Sequence, residues 1–125
     1  MLAYVKSVED DKNKTRRQYH CASCDAIIAD SDYLIPINGS DDHSFINPAG
    51  IRCNFLSFVQ CVNTVSDGTL FLEHSWFPGY GWRFVVCAGC FRHLGWQYDA
   101  LDEDCSPSVF FGVLKTAVRV SEADQ

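Results

Sequence analysis

Two pairs of cysteines have the spacing of a metal site. Cys21 and Cys24 enclose Ala-Ser, and Cys87 and Cys90 enclose Ala-Gly. Two residues between thiolates let one tight turn direct both sulfurs at one ion, and two such turns complete a tetrahedral four-sulfur zinc site. Because such a site has no open coordination position, the sequence predicts one structural zinc ion that joins two distant parts of the chain.

Other uses of the cysteines fit the sequence less well. Structural disulfides belong to oxidising compartments, and the N-terminus lacks a signal-peptide pattern. A thioredoxin-type CxxC calls for a βαβ unit, which the sequence does not indicate. Cys53 and Cys61 lie in an apolar run and are predicted to be buried as small hydrophobic residues. Cys105 has acidic neighbours, which raise the pKa of a thiol.

The three tryptophans of the chain lie close together in sequence, at Trp76, Trp82 and Trp96. The segment between the first two, FPGYG, is typical of a loop, and loops lie on the surface. Trp82 and Trp96 flank the second cysteine pair, so a bound metal would hold both in place. Indole rings partly exposed on a rigid frame predict a ligand pocket; the alternative is that they form an aromatic core.

Two kinds of ligand suit such a pocket. Aromatic cages hold quaternary ammonium ions by cation–π attraction, and Glu73 beside His74 could add a carboxylate. A compact neutral ring could instead bind by apolar contact, with backbone groups of residues 74–76 reading its polar edge. The residues alone leave both possibilities open.

The elements that carry these residues are predicted to be mostly antiparallel β-strands. We expect strands at 32–37, 51–62, 69–72, 82–87 and 94–99, with turns at 46–50 and 66–68. Residues 106–120 fit either a helix or strands.

Alternation within two of these strands indicates which side chains share a face. Trp82, Phe84 and Val86 are predicted to share one face. Leu94, Trp96 and Tyr98 are predicted to do the same in the next strand.

Composition indicates one folded domain in 125 residues, of which 47% are hydrophobic. We expect a flexible polar arm at 1–19, a zinc-binding domain at 20–120 and a short tail at 121–125. A net charge of −6, with the positive excess confined to the N-terminal arm, argues against nucleic acid as a partner. No apolar run is long enough to span a bilayer, so no membrane partner is expected and a cytoplasmic location is predicted.

The aromatic segment and the second cysteine pair carry a resemblance to a known family. EHSWFPGYGW at 73–82, followed by CAGCFRHLGWQY at 87–98, resembles the thalidomide-binding domain of cereblon, the CULT domain family. The similarity extends from CASC at 21–24 through FINPAG at 45–50 to VFFGVL at 109–114. The combination of motifs is far more specific than two CxxC pairs alone.

The resemblance implies a β-tent, in which two antiparallel sheets meet at a steep angle near the zinc ion. It also implies a cage of three indoles that holds a glutarimide or related cyclic imide. The imide edge would bond to the backbone of His74 and Trp76, Tyr98 would floor or flank the cage, and Asn47 and Pro48 would line its rim. The residues expected to bind the ligand are Asn47, Pro48, Glu73, His74, Ser75, Trp76, Trp82, Trp96 and Tyr98.

The resemblance also bears on partners. The ligand could be a cyclic imide on the C-terminus of a modified protein. Full-length cereblon has a Lon-like N-terminal domain and a region that docks on a ubiquitin-ligase adaptor, and neither has room in 125 residues. We therefore expect a member of the single-domain, stand-alone type with no such adaptor.

An enzymatic alternative is a B-type methionine sulfoxide reductase, which has a related zinc-bearing β fold. The catalytic cysteine of that family lies in an Arg-x-Cys-x-Asn setting after the second CxxC. Here Arg52-Cys53-Asn54 precedes the second pair, and Cys105, which follows it, has no neighbouring Arg or His. The sequence therefore predicts a binding domain without catalysis.

Overall fold

The structure is a computed structural model that describes residues 15–122, and these residues form nine β-strands and two short 3₁₀ turns. The strands are β1 (Arg17–Cys21), β2 (Ile27–Asp30), β3 (Asp42–Ile46), β4 (Arg52–Phe58), β5 (Thr64–Ser66), β6 (Tyr80–Cys87), β7 (His93–Ala100), β8 (Val109–Leu114) and β9 (Val118–Glu122). The 3₁₀ turns are Ser31–Tyr33 and Lys115–Ala117. Among the described residues, no helix is long and apolar enough to cross a membrane.

The strands form two antiparallel sheets. One has three strands in the order β2-β1-β9, and the other has six in the order β3-β4-β8-β7-β6-β5. In β4 the buried residues Cys53 and Phe55 lie between more exposed neighbours, and the strand ends in two buried residues, Ser57 and Phe58. The predicted fold class, mostly β with two antiparallel sheets, is confirmed.

Two hydrophobic clusters fill the interior. The first joins the two sheets: Tyr19 and Ile28 of the smaller sheet pack with Phe58 of the larger, and the Tyr19 and Phe58 rings meet edge to face at 5.2 Å. The second cluster lies under the loop of residues 67–79 between β5 and β6, which we call the aromatic loop, and includes Phe77 and Phe110. The second cluster supports the pocket described below.

The β6–β7 pairing brings the predicted aromatic faces together. Trp82 lies opposite Tyr98, and Phe84 lies opposite Trp96. Directly opposed residues of antiparallel strands point to the same side of the sheet, so these four side chains share one face.

Leu94 does not join this face, and the prediction that it would is wrong. It is buried in the first cluster with Val85 and Cys87. The reason is a β-bulge at the start of β7. Val85 pairs with Gly95 and Val86 pairs with His93, so Leu94 is the extra residue and the register shifts there. A period of two read from the sequence cannot show such a shift.

Several predicted elements also differ. Residues 32–37 contain a 3₁₀ turn and isolated bridges instead of an edge strand, and 69–72 contain only a bridge from Phe71 to Trp82. The strand predicted at 51–62 ends at Phe58, and the helical alternative for 106–120 is wrong because that segment forms β8 and β9.

Two of the predicted domain limits fall within strands. The boundary at 19 falls inside β1, and the boundary at 120 falls inside β9, which pairs with β1 from Val118 to Glu122. The rest of the predicted arm and tail, 1–14 and 123–125, lies outside the described residues.

Candidate metal and ligand sites

The four paired cysteines converge where the two sheets meet. Cys21 ends β1 and Cys87 ends β6, while Cys24 and Cys90 lie in the turns that follow. The four sulfur atoms all lie within 4.8 Å of one another. The Cys21–Cys90 and Cys24–Cys87 sulfur distances are 3.6 and 3.5 Å.

These distances fit a metal site. They are far longer than a disulfide bond of about 2.0 Å. They are close to the edge of about 3.8 Å in a tetrahedron with zinc–sulfur bonds of about 2.3 Å. The four cysteines are therefore positioned to bind one zinc ion.

The two cysteine turns have the same backbone geometry. In each, the residue after the second cysteine has a left-handed backbone, with φ of 71° at Asp25 and 66° at Phe91. Each of these residues donates its N–H to the carbonyl of the first cysteine at 2.8 Å. A side chain at position 89 would crowd the cysteine cluster, because a Cβ there would lie 3.3 Å from the Cys24 sulfur.

Local hydrogen bonds favour the metal-binding thiolate at Cys21. Burial acts to raise the pKa of Cys21, but hydrogen bonds from the backbone of Cys24 and Ser23 outweigh it and lower that pKa to about 7. The thiolate is the form that binds zinc. The metal site thus ties the β1–β2 turn of one sheet to the β6–β7 turn of the other, and β6 and β7 carry Trp82 and Trp96.

A cavity of about 320 Å³ opens on the aromatic face of β6 and β7. Its volume lies within the range of small-molecule sites. Its lining is mainly aromatic, and seven of its nine residues are among those predicted to bind a ligand. The lining residues are Asn47, Pro48, His74, Trp76, Trp82, Phe84, His93, Trp96 and Tyr98.

The three indoles stand as walls of this cavity. Trp76 and Trp96 meet edge to face, with ring centres 5.2 Å apart and planes at 87°. Trp76 is stacked on Phe45 at 5.2 Å, and Trp82 is stacked on Phe71 at 4.7 Å. Because Trp76 and Trp82 each have a ring packed against them, these two indoles are held in place without a ligand.

Trp96 is fixed through the backbone. The preceding residue, Gly95, has φ of +155°, and a Cβ there would lie 2.9 Å from the Gly112 carbonyl carbon. No L side chain fits this close approach of β7 and β8. Gly95 therefore sets the position at which Trp96 enters the cavity.

The loop between β5 and β6 is bound to one wall. The indole N–H of Trp82 donates to the Glu73 carbonyl at 2.8 Å. Glu73 is thus close to the cavity through its backbone, and its side chain is not part of the lining. Ser75 is also outside the lining; its hydroxyl donates to the Phe77 carbonyl and accepts from the Phe77 N–H, which closes the loop on itself.

Two residues of this loop have backbone groups without a hydrogen-bond partner in the described part of the chain. His74 has a left-handed backbone with φ of 60°. Within residues 15–122, the backbone N–H and C=O groups of His74 and Trp76 make no hydrogen bond. Backbone groups are normally paired with protein or water, so these four are left to bond with water or with a ligand.

The residues predicted to form the floor and the rim of the cavity are also held in place by their neighbours. Tyr98 is 2% exposed and is stacked on Phe110 at 4.8 Å, and burial raises the pKa of its hydroxyl well above the usual range. At the rim, the Asn47 side-chain oxygen accepts from the N–H groups of Ala49 and Ile51 at 3.0 and 2.9 Å. This turn holds Pro48 against the cavity.

Two lining residues, Phe84 and His93, were not predicted as ligand contacts. Phe84 could have been found, because alternation places it on the face of Trp82. His93 could not, because the bulge at Leu94 of β7 decides where it points. The His93 Nε2–H donates to the Gly95 carbonyl at 2.9 Å, and burial lowers the pKa of the imidazole.

The other cysteines lie away from the cavity. Cys53 is 8% exposed in the second cluster, and burial raises the pKa of Cys61 to about 12. Burial and then Asp102 and Asp104 raise the pKa of Cys105. None of the three thiols lines the cavity.

Comparison with known proteins agrees with this arrangement. The family described as Yippee zinc-binding/DNA-binding/Mis18, centromere assembly, matches residues 18–125. Cereblon of Drosophila grimshawi is 34% identical over 124 residues, covering 90% of this chain and 17% of that protein. Cereblon of Gallus gallus is 36% identical over 83 residues, covering 65% of this chain and 19% of that protein.

A third relative, cereblon of Drosophila melanogaster, is 28% identical over 134 residues, covering 99% of this chain and 21% of that protein. The chain thus spans about a fifth of the length of these relatives. The chain belongs to the Yippee-Mis18 family, and within it this zinc-binding domain is of the cereblon-like CULT type.

Proposed function

We propose that this domain binds glutarimide-type cyclic imides in the cavity walled by Trp76, Trp82 and Trp96, without catalysing a reaction. The observation that carries the proposal is the combination of three fixed indoles with unused backbone groups at one side of a cavity of about 320 Å³. Such a site can hold a compact ring and read one polar edge.

The chemistry of the ligand class matches both parts of the cavity. The ring carbons of a glutarimide lie between indole faces, where dispersion and loss of water supply most of the affinity. The imide edge has one N–H donor between two carbonyl acceptors. It pairs with backbone groups of His74 and Trp76, and those hydrogen bonds supply selectivity.

Charge favours a neutral ring over a methylated ammonium ion. No carboxylate lines the cavity among residues 15–122, since the Glu73 side chain lies outside the lining. A cation would therefore lose its hydration in exchange for cation–π contacts alone. The ammonium ligand is the competing outcome of the test below.

The lining also argues for binding without turnover. Among residues 15–122, it contains no Cys, Ser or Thr that could act as a nucleophile. Cys53, which would be the nucleophile in a sulfoxide reductase, is buried in the second cluster, and burial raises its pKa. Both features work against thiolate chemistry.

The ligand in the cell could be a cyclic imide at the C-terminus of a modified protein. The similarity to the cereblon relatives covers about a fifth of their length. This proposal therefore rests on that shared domain alone. Whatever else those proteins bind is not carried over to this chain.

Intrinsic fluorescence tests the proposal directly, because all three tryptophans of the chain belong to the cavity. The zinc-loaded protein is titrated with glutarimide and, separately, with tetramethylammonium chloride. We expect saturable quenching or a spectral shift with glutarimide. A response to the ammonium salt alone would show that the ligand class is wrong, and a response to neither would leave an aromatic core as the role of the indoles.

A further inference from the structure

We propose that Phe84 limits which substituents a cyclic imide can carry when it enters the cavity. On this proposal, which rests on the proposed function, the cavity accepts an unsubstituted six-membered cyclic imide and excludes one with two substituents on the carbon opposite the imide nitrogen. Phe84 is then a specificity-determining residue that the resemblance did not indicate.

The first support is an unbroken line of aromatic rings around the cavity. The Phe84 ring lies 5.3 Å from Trp82 and 5.4 Å from His93, and His93 lies 5.5 Å from Trp96. Trp96 in turn lies 5.2 Å from Trp76. Phe84 therefore bridges the gap between two indole walls that the β-sheet alone would leave apart.

The second support is that Phe84 is held in place. Its contacts with Trp82, His93 and Phe71 are all edge to face, with planes at 85°, 69° and 77°. Phe71 is also stacked on Trp82, so the wall has a second layer. A ring fixed by three neighbours cannot turn aside for a larger ligand without disturbing them.

The third support is the exposure of Phe84. Its side chain is 38% exposed although it is large and apolar, and it lines the cavity. Neither cluster of the core includes it. The apolar face that Phe84 presents is therefore available to a ligand.

The direction of the ligand follows from the proposed function. Its imide edge is held by the loop of residues 74–76, so its carbon atoms point away from that loop. On this proposal, those carbon atoms meet the part of the lining that Phe84 and His93 form. Extra methyl groups at the far carbon would overfill a rigid apolar space, which is unfavourable in the same way as overpacking a core.

The test compares two probes, glutarimide and its derivative with two methyl groups on the carbon opposite the nitrogen. We expect the parent to bind the dimethyl compound at least about tenfold more weakly than glutarimide. Phe84→Val, which keeps a good strand residue and removes the ring, should shift this ratio by about tenfold toward the dimethyl compound. Phe84→Trp should weaken binding of the dimethyl compound further.

Val65→Ala is the matched control, because Val65 is an exposed apolar residue of neighbouring β5 that does not line the cavity. It should leave the ratio unchanged, and zinc content and far-ultraviolet circular dichroism should be the same for all four proteins. If the parent binds glutarimide and Phe84→Val keeps the parental ratio, the role of Phe84 is overturned while the proposed function stands. If the parent binds neither compound, both proposals are wrong.

Discussion

Replacing Gly95 with alanine should lower the free energy of unfolding more than the same change at Gly39 or Gly68. At Gly95 two costs combine: φ of +155°, which L residues rarely adopt, and a Cβ that would lie 2.9 Å from the Gly112 carbonyl carbon and 3.2 Å from the Val113 Cα. The close atoms belong to backbone, so they cannot move aside as a flexible side chain would. Strands β7 and β8 must part where Gly95 faces Val113.

The loss of unfolding free energy expected for Gly95→Ala can be worked out by comparison with Gly68 and Gly39. Gly68 has neither an unusual φ nor any atom within 4 Å of a Cβ, so Gly68→Ala should change the free energy of unfolding by less than about 0.5 kcal/mol. Gly39 has φ of +93° and open space, so Gly39→Ala should cost about 1–2 kcal/mol. Gly95→Ala adds to this the loss of about two to three ladder hydrogen bonds at about 1 kcal/mol each, giving about 3–5 kcal/mol.

The assay is urea unfolding of the three variants and the parent, followed by far-ultraviolet circular dichroism with zinc in the same fixed excess. Fixed zinc matters because the ion binds the folded state and shifts the apparent stability. If Gly95→Ala costs no more than Gly39→Ala, the contact between β7 and β8 does not limit the residue at position 95. The account of how Trp96 is fixed would then be wrong.

Three further predictions follow from the sites. Trp96→Ala should abolish the response to glutarimide and keep the zinc, because the indole is a wall of the cavity and not a metal ligand; ligand titration and zinc analysis measure this. Cys90→Ser should lower zinc content and unfold the domain, whereas Cys105→Ser should leave one zinc per chain, as measured by elemental analysis and circular dichroism. His43→Gln should flatten the loss of stability that sets in as pH falls below about 6.5, measured by urea unfolding at each pH.

The pH prediction depends on the sign of the pKa shift. Burial lowers the pKa of His43, which lies among aromatic rings and contacts the Ser57 hydroxyl at 3.1 Å. The unfolded chain therefore takes up the proton more readily, from about pH 6.5 downward. Stability from the neutral imidazole is full above that pH and is lost as pH falls toward the folded pKa.

Each of these predictions has a contradicting result. Full glutarimide binding by Trp96→Ala would remove that indole from the site. Normal zinc content in Cys90→Ser would mean that three sulfurs are sufficient. An unchanged pH profile in His43→Gln would mean that other groups carry the acid sensitivity.

Local sequence patterns were enough to predict the metal site and part of the cavity. The CxxC spacing is a property of one tight turn, so Cys87 and Cys90 could be paired from the sequence alone. Alternation in β6 likewise gave the shared face of Trp82 and Phe84. Both patterns act within a few residues and do not depend on the rest of the fold.

Features set by distant parts of the chain could not be predicted. Phe45 lies far from Trp76 in sequence, and only the packing of β3 against the aromatic loop stacks their rings. The bulge in β7 redirects Leu94 into the first cluster and His93 toward the cavity. Glu73 contacts Trp82 through its backbone carbonyl. Contacts of this kind cannot be predicted from residue type, because every residue has the same backbone groups.

The central claim is that the aromatic cavity binds a cyclic imide by its polar edge. Isothermal titration calorimetry of the zinc-loaded parent with glutarimide and with N-methylglutarimide tests it most directly, because the methyl group removes the imide N–H. We predict one site per chain for glutarimide, a negative heat-capacity change from burial of apolar surface, and at least about tenfold weaker binding of the N-methyl compound. No heat of binding with glutarimide, or equal affinity for both compounds, would contradict it.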